Sequence, residues 1–298
     1  MIRFVRPLAR SLRLIGIGMV VAGTPLAADE PAPVDQPVLR LDWNNRILTI
    51  EGTGLAGPVS VLYIEAYCRP GSTDRDWGKT VIRHQSRRVD DKKNPQRVEI
   101  EDRLADGVVV RHVITARGDT VDFLIEAFNP TTEPSEVDWA QPCVRVDQFT
   151  GTTRRDAREL YPAYIRKSFL FIDGKQARMP TKPWATKARY TPGQVYCPRG
   201  VDRNDVNPRP LSRLVPSNPL VGCYSADQRQ IMAIAFVPCQ EIFQGVISCL
   251  HSDFRIGGLE PAEVKVIRGK IYFMPADIDK LLARYRRDFH VAQKPARQ

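Results

Sequence analysis

Residues 108–128, VVVRHVITARGDTVDFLIEAF, read as two β-strands folded onto each other. Val110, His112, Ile114 and Ala116 alternate with more polar neighbours, the period-two pattern of a half-buried strand. Gly118-Asp119 supplies the tight-turn dipeptide, and Thr120–Phe128 resumes the alternation. Upstream, Asp106-Gly107 joins Arg97–Arg103 to Val108–Thr115 in the same way. Further out, Asn44-Asn45 separates Val38–Trp43 from Arg46–Glu51. Pro58–Tyr67 is a long strand whose Val61, Tyr63, Glu65 and Tyr67 are expected on one face. Val144–Phe149, Ser168–Ile172 (closed by Asp173-Gly174), Ile231–Val237, Gly245–Phe254 and Val264–Met274 extend the series.

Short strands with almost no helical periodicity between them argue against βαβ architecture and for an all-β fold, an antiparallel β-sandwich. The clear helix is the last element. Ile278, Leu281, Leu282, Tyr285 and Phe289 recur at three- and four-residue steps, and basic residues near the end suit the helix dipole, so a helix is expected over residues 276–291. A weaker helical pattern covers Arg154–Tyr161. Residues 180–219 contain eight prolines and little periodicity, so they read as a long loop, a feature that tends to be functional when ordered. Residues 38–298 therefore read as one β-sandwich domain with long loops and a C-terminal helix.

The chain has 298 residues, 43% hydrophobic and 26% charged, a balance that favours a packed globule over disorder. Arg3, Arg6, Arg10 and Arg13 precede a short apolar run, Leu14–Ala22, and small residues lead to Ala27-Ala28. That order is the pattern of an export signal over residues 1–28, followed by a Pro-rich linker at 29–37. A periplasmic or secreted location is expected, with no membrane span once the signal is cleaved. Without those four arginines the formal net charge falls from +10 to +6. The remaining basic residues alternate with acids, so a nucleic-acid partner is not expected.

Cys68, Cys143, Cys197, Cys223, Cys239 and Cys249 fit an oxidising compartment, in which Cys197 and Cys223, beside irregular stretches, are the first choice for a bridge. Cys143 and Cys249 lie in apolar strand patterns and read as buried thiols. No CxxC occurs, and the four histidines include no i, i+2 or i, i+4 pair. No metal or other cofactor is expected, although a calcium held by loop carboxylates stays open.

The segment CLHSDFR, Cys249–Arg255, carries the most chemistry. In an extended strand His251, Asp253 and Arg255 share one face, and such a row can move a proton and hold an anion; a solvated, salt-bridged face has the same spelling. Glu241 follows the Pro238 break, and a hairpin would bring it to His251. His251, Glu241 and Asp253 are thus the candidate catalytic groups. Two loops offer a sugar-binding lining of aromatic rings beside polar groups: Cys68–Thr80, with Arg69 and Trp77, and Arg189–Arg209, with Tyr196, Arg203 and Asp205. Arg145, between Val144 and Val146, points opposite to both, into a groove with Arg69 or onto a structural carboxylate. Arg255, Arg145 and Arg69 suit a carboxylate or sulfate. His112 lies on an apolar face and reads as a satisfied core histidine.

The stretch CLHSDFRIGGLEPAEVKVIRGKIYFM, residues 249–274, followed by the terminal helix, resembles the closing strands of galactose-mutarotase-like β-supersandwich proteins, and the YIEAY strand at 63–67 is similar to their opening. The resemblance implies a concave sheet that binds carbohydrate and maps a His/Glu pair onto His251 and Glu241. Three readings result: an exported protein acting on a glycan, acidic glycans included, by metal-free lyase or epimerase chemistry; a glycan-binding module without catalysis; and a structural envelope protein.

Overall fold

The computed structural model describes residues 38–71, 77–152, 161–181, 195–206, 212–245 and 247–290. The expected leader and linker lie outside them, as do all but the last residue of the helical pattern at Arg154–Tyr161 and residues 182–194 and 207–211 of the proline-rich loop. Strands β1 (Leu39–Asn44), β2 (Ile47–Gly52) and β3 (Val59–Cys68) come first, then α1 (Trp77–Thr80), β4 (Val81–Ile82) and β5 (His84–Arg88). The meander β6 (Arg97–Leu104), β7 (Val109–Arg117) and β8 (Thr120–Phe128) leads to β9 (Trp139–Arg145), α2 (Asp147–Thr150) and α3 (Tyr161–Lys167). Then follow β10 (Ser168–Ile172), β11 (Lys175–Arg178), β12 (Val195–Tyr196) and β13 (Pro216–Tyr224). Last come β14 (Gln230–Val237), β15 (Cys239–Gln244), β16 (Cys249–Arg255), β17 (Val264–Pro275) and α4 (Ile278–Asp288).

Among the described residues these strands form two antiparallel sheets. The eight-stranded sheet runs β1-β2-β3-β9-β16-β15-β12, with β4 beside β3; the nine-stranded sheet runs β11-β10-β13-β14-β17-β8-β7-β6-β5. The opening hairpin is observed in full register, from Val109 opposite Phe128 to Arg117 opposite Thr120. The sheets pack face to face as an antiparallel β-sandwich, with Ile50, Val144, Leu250 and Phe254 of one meeting Ile114, Ile125, Phe236 and Ile271 of the other. Each large apolar side chain so buried contributes about 1.5–3 kcal/mol.

Two glycines let aromatic rings cross the sheet. Gly269 pairs with Phe236, whose ring occupies the volume a Cβ at 269 would need. Gly222 does the same for Phe169.

Three local readings change. The expected strand at Val144–Phe149 is β9 ending at Arg145, followed by the single turn of α2. A register shift between Leu62 and Ala66 breaks the alternation of β3, so Glu65 turns out to solvent while Tyr63, Ile64 and Tyr67 remain buried. The terminal helix is shorter than 276–291, because Asp277 caps it by accepting a hydrogen bond from Lys280 N at 2.9 Å. Its Leu281, Leu282 and Tyr285 cover Ile231, Ala233 and Tyr272 on the outer face of the nine-stranded sheet, and Arg284 forks onto both oxygens of Asp119.

His112 is the core histidine expected. It lies between the sheets with Tyr63 Oη 2.8 Å from Nδ1 and Tyr67 Oη 3.0 Å from Nε2, and Tyr67 also donates to Asp102 at 2.6 Å. A buried polar network of this kind is stabilising only because every ring nitrogen has a partner.

Candidate functional site

Alternation along β16 decides the site. Leu250 and Phe254 enter the inter-sheet core, and Ser252 donates to Pro219 O at 2.9 Å, on the opposite sheet. Cys249, His251, Asp253 and Arg255 therefore share the outer face of the eight-stranded sheet. On β15 the register sets Glu241 opposite Asp253 and Phe243 opposite His251. On β9 the pairs Leu250–Val144 and Phe254–Ala140 place Cys143 opposite His251 and Gln141 opposite Asp253. Glu241, His251 and Asp253, far apart or adjacent in sequence, thus meet as expected.

This face is not open to water. Val195, Cys197 and Val206, with Val201 against them, close over Phe243, and Glu241, His251 and Asp253 are all buried. The Phe243 ring stacks flat on His251, centroids 4.1 Å apart at 11°. Both imidazole nitrogens face protein groups: Nε2 lies 3.4 Å from Cys249 Sγ and Nδ1 lies 3.3 Å from Asp253 Oδ1. Burial pulls the His251 pKa down, but the neighbouring Cys249 sulfur and the Asp253 carboxylate outweigh it and raise the imidazole well above its ordinary range. The hydrogen bond with Cys143, and then the His251 charge, pull Cys249 below the usual thiol range against the opposing effect of burial; Cys143 itself is raised by that same contact and by burial.

The face reaches water at its Arg255 end. The Arg255 side chain, 28% exposed, lies 3.1 Å from Asp138 and 3.7 Å from Asp205, and it donates to Gln240 Oε1. Burial raises Asp138 above the usual carboxylate range, with Arg255 opposing and Asp205 adding to the rise. Gln240 Nε2 donates to Asp205 O at 3.2 Å, and Asp205 Oδ1 accepts from Gly71 N at 2.7 Å, so the loop after β3 and the loop after β12 are both tied to this end. The two residues beneath are differently placed. Gln141 is 1% exposed and neither of its amide atoms has a hydrogen-bond partner; Trp139 Nε1 is likewise buried and unpartnered.

The remaining candidates disperse. Arg69 donates to Lys79 O and Val81 O, each at 3.3 Å, and pairs with Glu136. Arg145 sits at the other end of β9, opposite Ser60, whereas Cys68 is opposite Trp139. At ~3.3 Å per residue the two ends are roughly 20 Å apart, so Arg69 and Arg145 do not share a groove. Tyr196 is not a stacking platform: it is fully buried on the core side, its hydroxyl 2.6 Å from Thr181 Oγ1. Arg203 is held by Ser212 O at 3.0 Å, and Trp77 is exposed at the start of α1. No Cys197–Cys223 bridge forms. Both are free thiols, Cys223 between the sheets and Cys197 on the outer side of the eight-stranded sheet, so that sheet separates them.

Sequence reasoning missed Gln141, Trp139, Asp138 and the approach of Cys143 to Cys249. The spacing of histidines alone gave no metal-ligating set, yet the fold places Cys143, Cys249 and His251 with one donor atom each within 4.8 Å of one another. The signal was present in part, since Cys249 and His251 are i, i+2 on a strand, but the second thiol comes from another strand.

A wide cleft of about 490 Å³ lies elsewhere, on the outer face of the nine-stranded sheet beside α4, among Arg97, Arg117, Asp122, Arg268, Lys270 and Asp288. Its Lys270 is neutralised by Asp122 at 2.9 Å and Asp288 at 3.1 Å. None of the sequence candidates borders it, and it holds no proton-transfer set.

No protein-family model matches the chain, and no curated protein sequence matches it. Solved structures similar to it include an α-N-acetylgalactosaminidase from Bifidobacterium bifidum (12% identity, TM-score 0.47), matched over 86% of this chain and 38% of that one. A putative aldose 1-epimerase from Escherichia coli K12 (8%, 0.41) is matched over 80% and 99% respectively. A galactose mutarotase-like protein from Lactobacillus casei (7%, 0.39) is matched over 79% and 99%. At these scores the likeness transfers no chemistry, which rests on the side chains themselves.

Proposed function

We propose that the outer face of the eight-stranded sheet recognises a neutral carbohydrate, through Gln141, Trp139, Glu241 and Asp253, entered from the Arg255 end. The observation that carries this reading is Gln141, buried with an unused donor and an unused acceptor beside a buried carboxylate. An unsatisfied buried polar group costs about 1–3 kcal/mol, so such groups are rare unless they serve a ligand. A sugar hydroxyl both donates and accepts. An amide, an indole N–H and two carboxylates are the complementary set.

Charge decides between glycan classes. Asp138, Asp205, Glu241 and Asp253 gather at the end of the face where Arg255 is the cation, and its guanidinium is already taken up by Asp138, Asp205 and Gln240. Among the described residues, a uronate or sulfate would meet these four carboxylates, while Lys265 is held by Gly257 O and Gly258 O and Arg203 by Ser212 O. The proposal therefore favours a neutral sugar over the acidic one that the arginines suggest in the sequence. Recognition outside the cytoplasm, following export on the basic leader, belongs to the same proposal.

A second reading, turnover, is favoured by the cross-strand placement of Glu241 directly opposite Asp253. Such neighbours have Cβ atoms about 4.5–5.5 Å apart, which lets one carboxyl hold a proton while the other accepts one. His251, with both nitrogens engaged, is then a positioning group and not the proton carrier.

The test is retention of the purified full chain on neutral, uronic and sulfated glycans, followed by calorimetry on those retained. Neutral glycans are expected to bind, with Glu241→Gln weakening affinity by about 10–100-fold, the value of a charge-assisted hydrogen bond. Binding confined to anionic glycans, or to none, refutes the proposal. Product analysis by NMR on the retained glycans separates turnover from binding.

A further inference from the structure

On the same outer face, further along β16 from Arg255 and sharing Asp253 with the proposed carbohydrate site, three soft donors converge. Cys249 and His251 are alternate residues of one strand and so project together, while Cys143 comes from β9, opposite His251. Their donor atoms lie within 4.8 Å of one another, and all three residues are buried.

We propose that Cys143, Cys249 and His251 bind a thiophilic divalent metal ion, Zn²⁺ in the first instance, with Asp253 holding the imidazole in place. Zinc accepts thiolate at ~2.3 Å and imidazole at ~2.0–2.1 Å, so a tetrahedral S–N edge is about 3.6 Å. Cys249 Sγ and His251 Nε2 are 3.4 Å apart, close to that edge before any ion pulls them into place. Two sulfurs and an imidazole suit zinc and exclude magnesium and calcium, which take oxygen.

Three further features suit a metal site. The nitrogen facing the sulfurs is Nε2, and the other, Nδ1, meets the Asp253 carboxylate at 3.3 Å. With an ion on Nε2, that contact would keep the remaining proton on Nδ1, the common arrangement behind a ligating histidine. Gly245 closes the site. A Cβ at that position would overlap Cys249 Sγ and stand 3.3 Å from His251 Nε2, filling the approach to both donors. The Phe243 ring stacked on His251 prevents the imidazole from swinging away. Binding would release one proton from Cys143 and one from the Cys249–His251 pair, and leave His251 unable to carry a proton for any reaction on the sugar side.

The experiment uses the full chain, purified with reductant, stripped with a chelator and titrated with Co²⁺ as a spectroscopic stand-in for Zn²⁺. One ion per chain is expected, with a thiolate-to-cobalt charge-transfer band and the visible bands of a tetrahedral site, both erased by one equivalent of Zn²⁺. Cys249→Ser and Cys143→Ser should lose the charge-transfer intensity, Cys197→Ser should keep it, and Asp253→Asn should weaken affinity by about 10–100-fold. Absence of the band in the reduced wild-type protein overturns the proposal without recourse to any variant, as does a band unchanged by Cys143→Ser. A Cys143–Cys249 disulfide that forms in air and leaves the reduced protein unable to bind Co²⁺ also overturns it. Because the glycan test uses Glu241→Gln on a different strand, the two proposals fail separately.

Discussion

Replacing Gln141 with methionine should make the protein more stable and weaken the proposed binding of a neutral sugar. Gln141 is 1% exposed, and its amide oxygen and nitrogen are both unpartnered. Methionine has nearly the same length and shape and no strong hydrogen-bonding demand. Each unsatisfied buried group costs about 1–3 kcal/mol, so relief of the amide, allowing for partial relaxation, is worth about 2 kcal/mol. For a fold of this size ~1 kcal/mol moves Tm by about 2–4 °C, which gives a rise of about 4–8 °C in the sugar-free protein. Gln240→Met is the control with the opposite sign. Its amide donates to Asp205 and accepts from Arg255, so its loss should lower Tm. Differential scanning calorimetry on both variants, with and without the retained glycan, makes the comparison. If Gln141→Met lowers Tm as Gln240→Met does, the amide is a structural member of the sheet, and the carbohydrate reading loses its main support.

Two other outcomes follow from the core. Tyr67→Phe removes the hydroxyl that donates to Asp102 and touches His112, and should cost about 1.5–3 kcal/mol in urea unfolding. Burial pushes the Asp102 carboxyl up, but His112, 3.2 Å away, and the hydrogen bond from Tyr67 hold it below its ordinary range. Its contribution is therefore complete above the ordinary carboxylate pKa and is lost as the pH falls through the lowered one, so stability should decline on acidification and Asp102→Asn should flatten that decline. Gly269→Ala drives a methyl into the Phe236 ring and should destabilise by about 1–3 kcal/mol; an unchanged urea midpoint would show that the ring moves freely.

The β-sandwich was legible because its evidence is local. Alternation and turn dipeptides at Asp106-Gly107 and Gly118-Asp119 depend only on neighbours in sequence, and the meander β6-β7-β8 follows from them directly. Alternation also put His251, Asp253 and Arg255 on one face, and the break at Pro238 brought Glu241 alongside them. Where a register shift interrupts a strand, as between Leu62 and Ala66, the same rule misplaced Glu65.

What the chain alone determines is therefore the period of each strand and the face each side chain takes. Which strands become neighbours is a matter of long-range pairing, and it was decided only by the fold. The placement of β9 between β3 and β16 brings Cys143 to His251, sets Gln141 beside Asp253 and separates Arg69 from Arg145. The layering of the two sheets keeps Cys223 from Cys197 and leaves Arg255 already neutralised by Asp138 and Asp205. No single segment encodes those contacts, because each joins side chains from separate strands whose partners are selected by burial of the whole core.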